Sequence, residues 1–324
     1  MSIRSAKKST IRAVIAVALT VLVVAIMRYG ADYRTPVLAV FGIYLVVYWL
    51  LGRPWHRKPI DVSEAMPVSG PIGRLGNHAI GWAWSITSVL ALLNPFQLAQ
   101  VLRQRAGNAR LDDRQRRAGS DGSAYRTAIP YTLPFRGEWF VFNGGVTPET
   151  SHSWNILGQR FAIDFVRVDA EMRRHSDRGT TPLDYFCYGE DIVAAADGRV
   201  VDVDDGIGDA PFVGWGVCDF TARSFIGNFV LIEHAQNEFG LYAHLVRGSI
   251  RVAPGDTVLR GDTLGQCGHS GHSSEPHLHF HLQDSAELFE GMGLPVRFVS
   301  LVIDDEQTEG AFLSAGNRVR PVSR

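Results

Sequence analysis

Two long uncharged runs open the chain: Ala13–Met27, preceded by Arg4, Lys7, Lys8 and Arg12, and Thr35–Gly52. Each approaches the roughly 17–25 residues that cross a hydrocarbon core as a helix. The Arg28–Arg34 connection is short enough to join antiparallel neighbours, so the pattern predicts two transmembrane helices, about 11–28 and 35–52, packed as a hairpin. A cleavable signal peptide would explain the first run alone, and no small-residue cleavage site precedes Arg28. A third stretch, Leu75–Leu102, contains no Asp, Glu, Lys or Arg. It reads as a third span, at about 76–99, or as none.

Residues 103–129 are rich in Arg, Gly and Ser and show no apolar period, the pattern of a linker or a solvated helix. From Pro130 the chain changes to short alternating runs punctuated by Gly, Asp and Pro: GRVVDVDD at 198, NFVLIEHA at 228, GLYAHLV at 240, PHLHFHL at 276. This predicts a mainly β domain with an antiparallel sheet over 130–324, long enough for one independent core and without an amphipathic helix beyond about two turns after residue 175.

Charge divides the chain in the same place. Residues 1–129 carry 17 basic and 6 acidic side chains, whereas residues 130–324 carry 15 and 27. The basic half is also the apolar one, so it offers no stripe on a folded surface, and nucleic-acid binding is disfavoured. A membrane-lipid environment suits it better. Counted by the positive-inside rule, two spans place most Lys and Arg, and with them the β domain, inside; three spans make the count even and place the domain outside. Cys187, Cys218 and Cys267 form neither a CxxC pair nor a disulfide framework, although a 187–218 bridge is compatible with the sequence.

Nine of the eleven histidines follow residue 150, and three alternate as His277, His279 and His281. Residues two apart on a strand share a face at roughly 6–7 Å, so two imidazoles can converge on one ion and its bound water, while residues four apart span about 13 Å and cannot both be ligands without a bend.

GLYAHL followed by APGDTVLRGDTLGQCGHSGHSSEPHLHF resembles the C-terminal signature of the lysostaphin-type zinc metallopeptidases, which cut peptide cross-links in bacterial cell walls; the likeness extends upstream through GNFVLIEH and FCYGEDIVAAADGRVVDV. The resemblance implies one Zn2+, ligated by His279 and by Asp164 of QRFAIDF, with His244 and His277 as the catalytic histidines. It implies an endopeptidase acting on a peptidoglycan stem peptide or cross-bridge; since peptidoglycan lies outside the bacterial cytoplasmic membrane to which the uncharged runs point, the peptidase domain is expected to be extracytoplasmic, as the three-span count has it. The chain departs from the family's His-xxx-Asp motif at one position, where Arg160 stands four residues before Asp164. A guanidinium is no metal ligand. His152 of TSHSW replaces the missing histidine in one reading, in which the chain is a variant branch of the family and Arg160 points away or meets a substrate carboxylate. His281 replaces it in a second. In a third the site is degenerate, and the domain binds the wall or a protein partner as a scaffold or activator. His234, His269 and His272 are assigned to packing or the rim, and Glu275 and Ser270 carry no specific role.

Overall fold

The computed structural model describes residues 86–118 and 125–322, together with 70–72 and residues 20, 42 and 83. The chain divides into two compact units, Met1–Lys58 and Pro59–Arg324. Apart from Thr20 and Gly42, the two uncharged N-terminal runs lie outside the described residues. Among the described residues no helix is long and apolar enough to cross a membrane.

The third uncharged stretch is not one continuous helix. Helix ends at Ala91, a turn follows at 92–94, and a new helix, α1, starts at Pro95 and runs to Ala118. Asn94 and Pro95 explain the break: the Asn94 side chain accepts from the Phe96 amide at 3.0 Å, and proline is at home in the first turn of a helix. The expectation of a span at 76–99 is corrected on this point. Residues 103–118 take the helical reading of the Arg-rich segment, and α1 is not free. Its Gln97 is fully buried and donates to the carbonyls of Asp219 and Ala222 at 2.7 and 2.8 Å. Arg110 pairs with Glu290 and Arg114 with Asp284. These anchors are polar, which is why the missing apolar stripe gave no sign of docking.

Beyond Tyr125 the domain is mainly antiparallel β, as its alternating pattern predicts. Its large sheet runs, from one edge to the other, β12 (Glu306–Thr308), β11 (Leu301–Ile303), β13 (Arg318–Pro321), β1 (Trp139–Asn143), β2 (Ile163–Val166), β9 (Leu278–Gln283), β6 (Glu238–Leu245), β5 (Asn228–Ala235), β4 (Gly198–Asp204) and β7 (Thr257–Val258). β10 (Gly293–Leu294) adds to β9, while β3 (Asp191–Val193) and β8 (Thr263–Gln266) form a separate pair. The period of two sorts side chains by face. Leu278, Phe280 and Leu282 enter the main core with Val230, Ile232 and Tyr242. His279, His281 and Gln283 therefore project from the other face, where Leu231, Leu241 and Ala243 form a smaller cluster under Leu288 and Phe289.

Candidate metal centre

Strand register assembles the centre. Asp164 on β2 pairs with His279 on β9, and His279 pairs with Ala243 on β6. Directly opposed residues of an antiparallel pair point to the same side, so Asp164 and His279 stand side by side on one face, with the small Ala243 on the far side of His279. His279 Nδ1 lies 2.9 Å from Asp164 Oδ1. Asn143, placed by a bulge at the end of β1, donates to Asp164 Oδ2 at 2.9 Å.

His152 arrives from the loop before β2. The serines on either side of it are buried and tie the loop down: Ser151 Oγ donates to the Arg160 carbonyl at 2.6 Å and Ser153 Oγ to the Gln159 carbonyl. The imidazole between them reaches back over the sheet, its Nε2 3.4 Å from Asp164 Oδ2. Ligand atoms of His152, Asp164 and His279 lie within 4.8 Å of one another. Arg160 lies apart from this cluster, with its guanidinium 4.6 Å over the Trp154 ring, Nε donating to the Trp154 carbonyl at 3.1 Å and a terminal nitrogen to Gln115 of α1 at 3.2 Å. Of the two roles expected for it, the structure has Arg160 point away.

His244 and His277 complete the group. Their ring centroids are 4.7 Å apart, His244 is 5.8 Å from His279, and His277 Nε2 is 3.8 Å from Asp164 Oδ1. His244 sits at the end of β6 with φ of 65°, a left-handed conformation uncommon for a side-chain-bearing residue. Strain of this kind is tolerated where the surroundings over-determine it. Here they do: His244 Nδ1 donates to the Ser270 carbonyl at 2.8 Å. Ser270 is held in turn by a close approach of two backbones, since a Cβ on Gly227 would fall 2.3 Å from Ser270 O and one on Gly271 2.4 Å from Gly227 N, both at positive φ. His277 Nδ1 donates to the Glu275 carbonyl at 2.8 Å. The Glu275 carboxylate is buried against Arg174, at 2.6 Å. Both Nδ1 atoms being committed to carbonyls, each ring turns Nε2 outward as its free basic atom.

Electrostatics favours a cation. Burial by itself would push the Asp164 carboxyl up, but His152, His277 and His279 outweigh it and hold the group well below the usual carboxylate range. Burial lowers His244 well below its ordinary value, with the neighbouring His277 and His279 rings adding to the effect. Burial also lowers His152, against the pull of Asp164, although 27% of its side chain remains open to solvent and this limits the drop. Neutral imidazoles and one ionised carboxylate are the donor set zinc takes in catalytic sites, where three protein ligands leave a fourth position open. The residues therefore fit a zinc ion.

The remaining histidines do other work. His234 is buried between the Asp197 carbonyl and the Tyr242 hydroxyl, each at 2.9 Å, and His269 is buried against Ser273 at 2.8 Å. His272 Nε2 lies 2.8 Å from Gln97 of α1. His281 is not part of the donor cluster: it is fully buried behind His279. Cys187, Cys218 and Cys267 are all free, and Cys187 donates to the Pro276 carbonyl at 3.1 Å, so the compatible 187–218 bridge is not formed.

Residues 179–290 match the model of Peptidase family M23. This segment is an M23 peptidase domain. It contains His244, His277 and His279, whereas His152, Arg160 and Asp164 lie upstream of the matched M23 residues. Endolysin 2638A of Staphylococcus phage 2638A is 28% identical over 147 residues, 41% of this chain; the match spans only 26% of the endolysin. Among solved structures, the catalytic domain of the prophage-encoded M23 protein EnpA from Enterococcus faecalis is 19% identical, covering 52% of this chain and 90% of its own, with a TM-score of 0.28. The catalytic domain of lysostaphin from Staphylococcus simulans is 20% identical over 53% of this chain and 90% of its own, with a TM-score of 0.26.

Nothing in the letters pointed to Asn143, to the Ser270 and Glu275 carbonyls or to Arg174. Backbone acceptors leave no mark in a sequence, and Arg174 sits in a loop with no period. Gln283 was findable, because it continues the alternation of His279 and His281 on one face.

Proposed function

We propose that the chain is a zinc-dependent endopeptidase that hydrolyses peptide bonds of bacterial peptidoglycan, on a stem peptide or cross-bridge. The observation that carries this reading is the meeting of His152, Asp164 and His279 donor atoms within 4.8 Å, beside the His244 and His277 rings. These three residues would hold the ion. When bound, zinc supplies a Lewis acid and brings the pKa of a water on its open position toward about 7. His277 Nε2 is suited to take a proton, since Asp164 at 3.8 Å stabilises the imidazolium that results. His244 Nε2, on the same side at 4.7 Å between ring centroids, is a second neutral basic atom beside His277, placed to accept a hydrogen bond from the attacking water or from a substrate amide. Membership of the M23 family and the likeness to a phage endolysin support the choice of peptidoglycan.

The two uncharged N-terminal runs and their flanking Lys and Arg support attachment to the bacterial cytoplasmic membrane. Since peptidoglycan lies beyond that membrane, the reading requires the β domain outside, which long domains can reach regardless of flanking charge. The alternative, an inactive domain that binds wall or a protein partner, is favoured by a single observation, Arg160 in the family's histidine position. Release of new amino groups from purified peptidoglycan by the zinc-loaded protein separates the two. Amino-group release that a chelator abolishes is expected; bound zinc without any release would leave the scaffold.

A further inference from the structure

The third alternating histidine, His281, has a use that neither ligation nor packing accounts for. Three polar side chains stand in a row on the site face of β9, which is otherwise apolar: His279, His281 and Gln283, with relative exposures of 7%, 1% and 0%. They are in contact end to end. His279 Nε2 lies 2.9 Å from His281 Nδ1, and His281 Nε2 lies 3.2 Å from Gln283 Oε1. The far end is fixed by chemistry, because the Gln283 amide nitrogen faces two carbonyls, Ser285 at 2.7 Å and Glu287 at 3.4 Å. Carbonyls only accept, so the NH2 group must face them and Oε1 must face His281.

From that end each proton is determined. Gln283 Oε1 accepts, so His281 Nε2 carries hydrogen. A neutral His281 then presents Nδ1 as a lone pair, and His279 Nε2 must be the donor to it. His279 is left with Nδ1 directed at Asp164 Oδ1, 2.9 Å away. An imidazole lone pair and a carboxylate oxygen at that separation repel unless positive charge lies with them, either a metal ion or a second proton on the ring. His281 is buried and hydrogen-bonds to His279 and Gln283, neither of them an anion, so a charged ring there would stand without a counter-charge.

We propose that His281 and Gln283 are positioning residues that fix His279 as the Nε2–H tautomer and so present Nδ1 to a cation. The inference rests on the zinc reading for its functional consequence, whereas the hydrogen on His279 Nε2 follows from the Gln283 end of the row and not from the metal. Partners that orient a ligating histidine through its other ring nitrogen typically influence metal affinity by about 10–100-fold.

The test uses the full chain labelled with 15N at histidine, observed by NMR with and without zinc, alongside a zinc titration against a competing chelator. In the wild type, His279 Nε2 is expected to carry hydrogen in both states. His281→Leu removes the acceptor and is expected to lower zinc affinity about 10–100-fold while the labelled spectrum shows His279 losing its single tautomer. His281→Asn, whose side-chain oxygen falls near the position of Nδ1, should restore the tautomer and most of the affinity. A wild-type His279 found as the neutral Nδ1–H form overturns the proposal. So does a folded His281→Leu protein with unaltered tautomer and affinity. A wild type that shows the expected tautomer but binds no zinc supports the relay and overturns the zinc reading instead.

Discussion

His152 Nε2 lies 3.4 Å from Asp164 Oδ2, although the two residues are twelve positions apart and the residue in the family's customary place, Arg160, is turned away to Trp154 and Gln115. The loop between them folds back because Ser151 and Ser153 tie its beginning to the Arg160 and Gln159 carbonyls at its end.

On the proposed reading, His277 and His244 serve the reaction and not the metal. Each makes its Nδ1 bond to a backbone carbonyl, and removing either ring leaves the His279–Asp164 and Asn143–Asp164 hydrogen bonds in place. His277→Ala and His244→Ala are expected to keep one zinc per chain and to lose at least about 100-fold in peptidoglycan hydrolysis, the lower range for a lost proton-transfer group. Metal analysis paired with amino-group release measures both. Loss of zinc from His277→Ala would move that residue into the ligand set.

Arg160 acts on stability. Its guanidinium joins the His152 loop to α1 through Trp154 and Gln115. Arg160→Ala should cost about 1–2 kcal/mol, the scale of one hydrogen bond to a charged group with a cation–π contact. The loop would be looser, so zinc affinity should fall while stoichiometry stays at one. Urea unfolding and a chelator competition give the two numbers. A protein that gains stability on this change would contradict the stapling role.

Acid should unfold the domain early. Burial lowers His234 and His272 to about 4 and His269 and His281 to about 3. An unfolded chain protonates its histidines near pH 6.5. Between that pH and about 4 the unfolded state therefore binds more protons than the folded one, and stability present above pH 6.5 is lost as pH falls. The slope is about 1.4 kcal/mol per pH unit for each proton taken up. Urea midpoints from pH 7.5 to 5 with zinc chelated check the sign; a midpoint that rises on acidification would refute it.

Attachment and side can be read with one fusion. A reporter placed after residue 129 should be active outside the cytoplasmic membrane and should sediment with membranes. Activity confined to the cytoplasm would remove peptidoglycan as the substrate, whatever metal the site holds.

The alternating runs at 198, 228, 240 and 276 were enough to anticipate β4, β5, β6 and β9, because a sheet with two different faces writes a period of two into its strands. The five residues that the structure gathers, His152, Asp164, His244, His277 and His279, were all named through the resemblance; without it His152 reads as a surface-loop histidine. The docking of α1 was not legible, since the groups that hold it are Gln97, Asn108 and arginines that look solvent-facing in any periodic reading. The break at Asn94–Pro95 was visible in the letters, but the absence of charge across Leu75–Leu102 weighed more.

The central claim is that His152 completes a zinc site with Asp164 and His279. Zinc bound per chain, measured by elemental analysis after dialysis for wild type and His152→Ala, tests it most directly. One zinc in the wild type and near none in a folded His152→Ala protein, matching His279→Ala, is the predicted result; full occupancy in His152→Ala would contradict it.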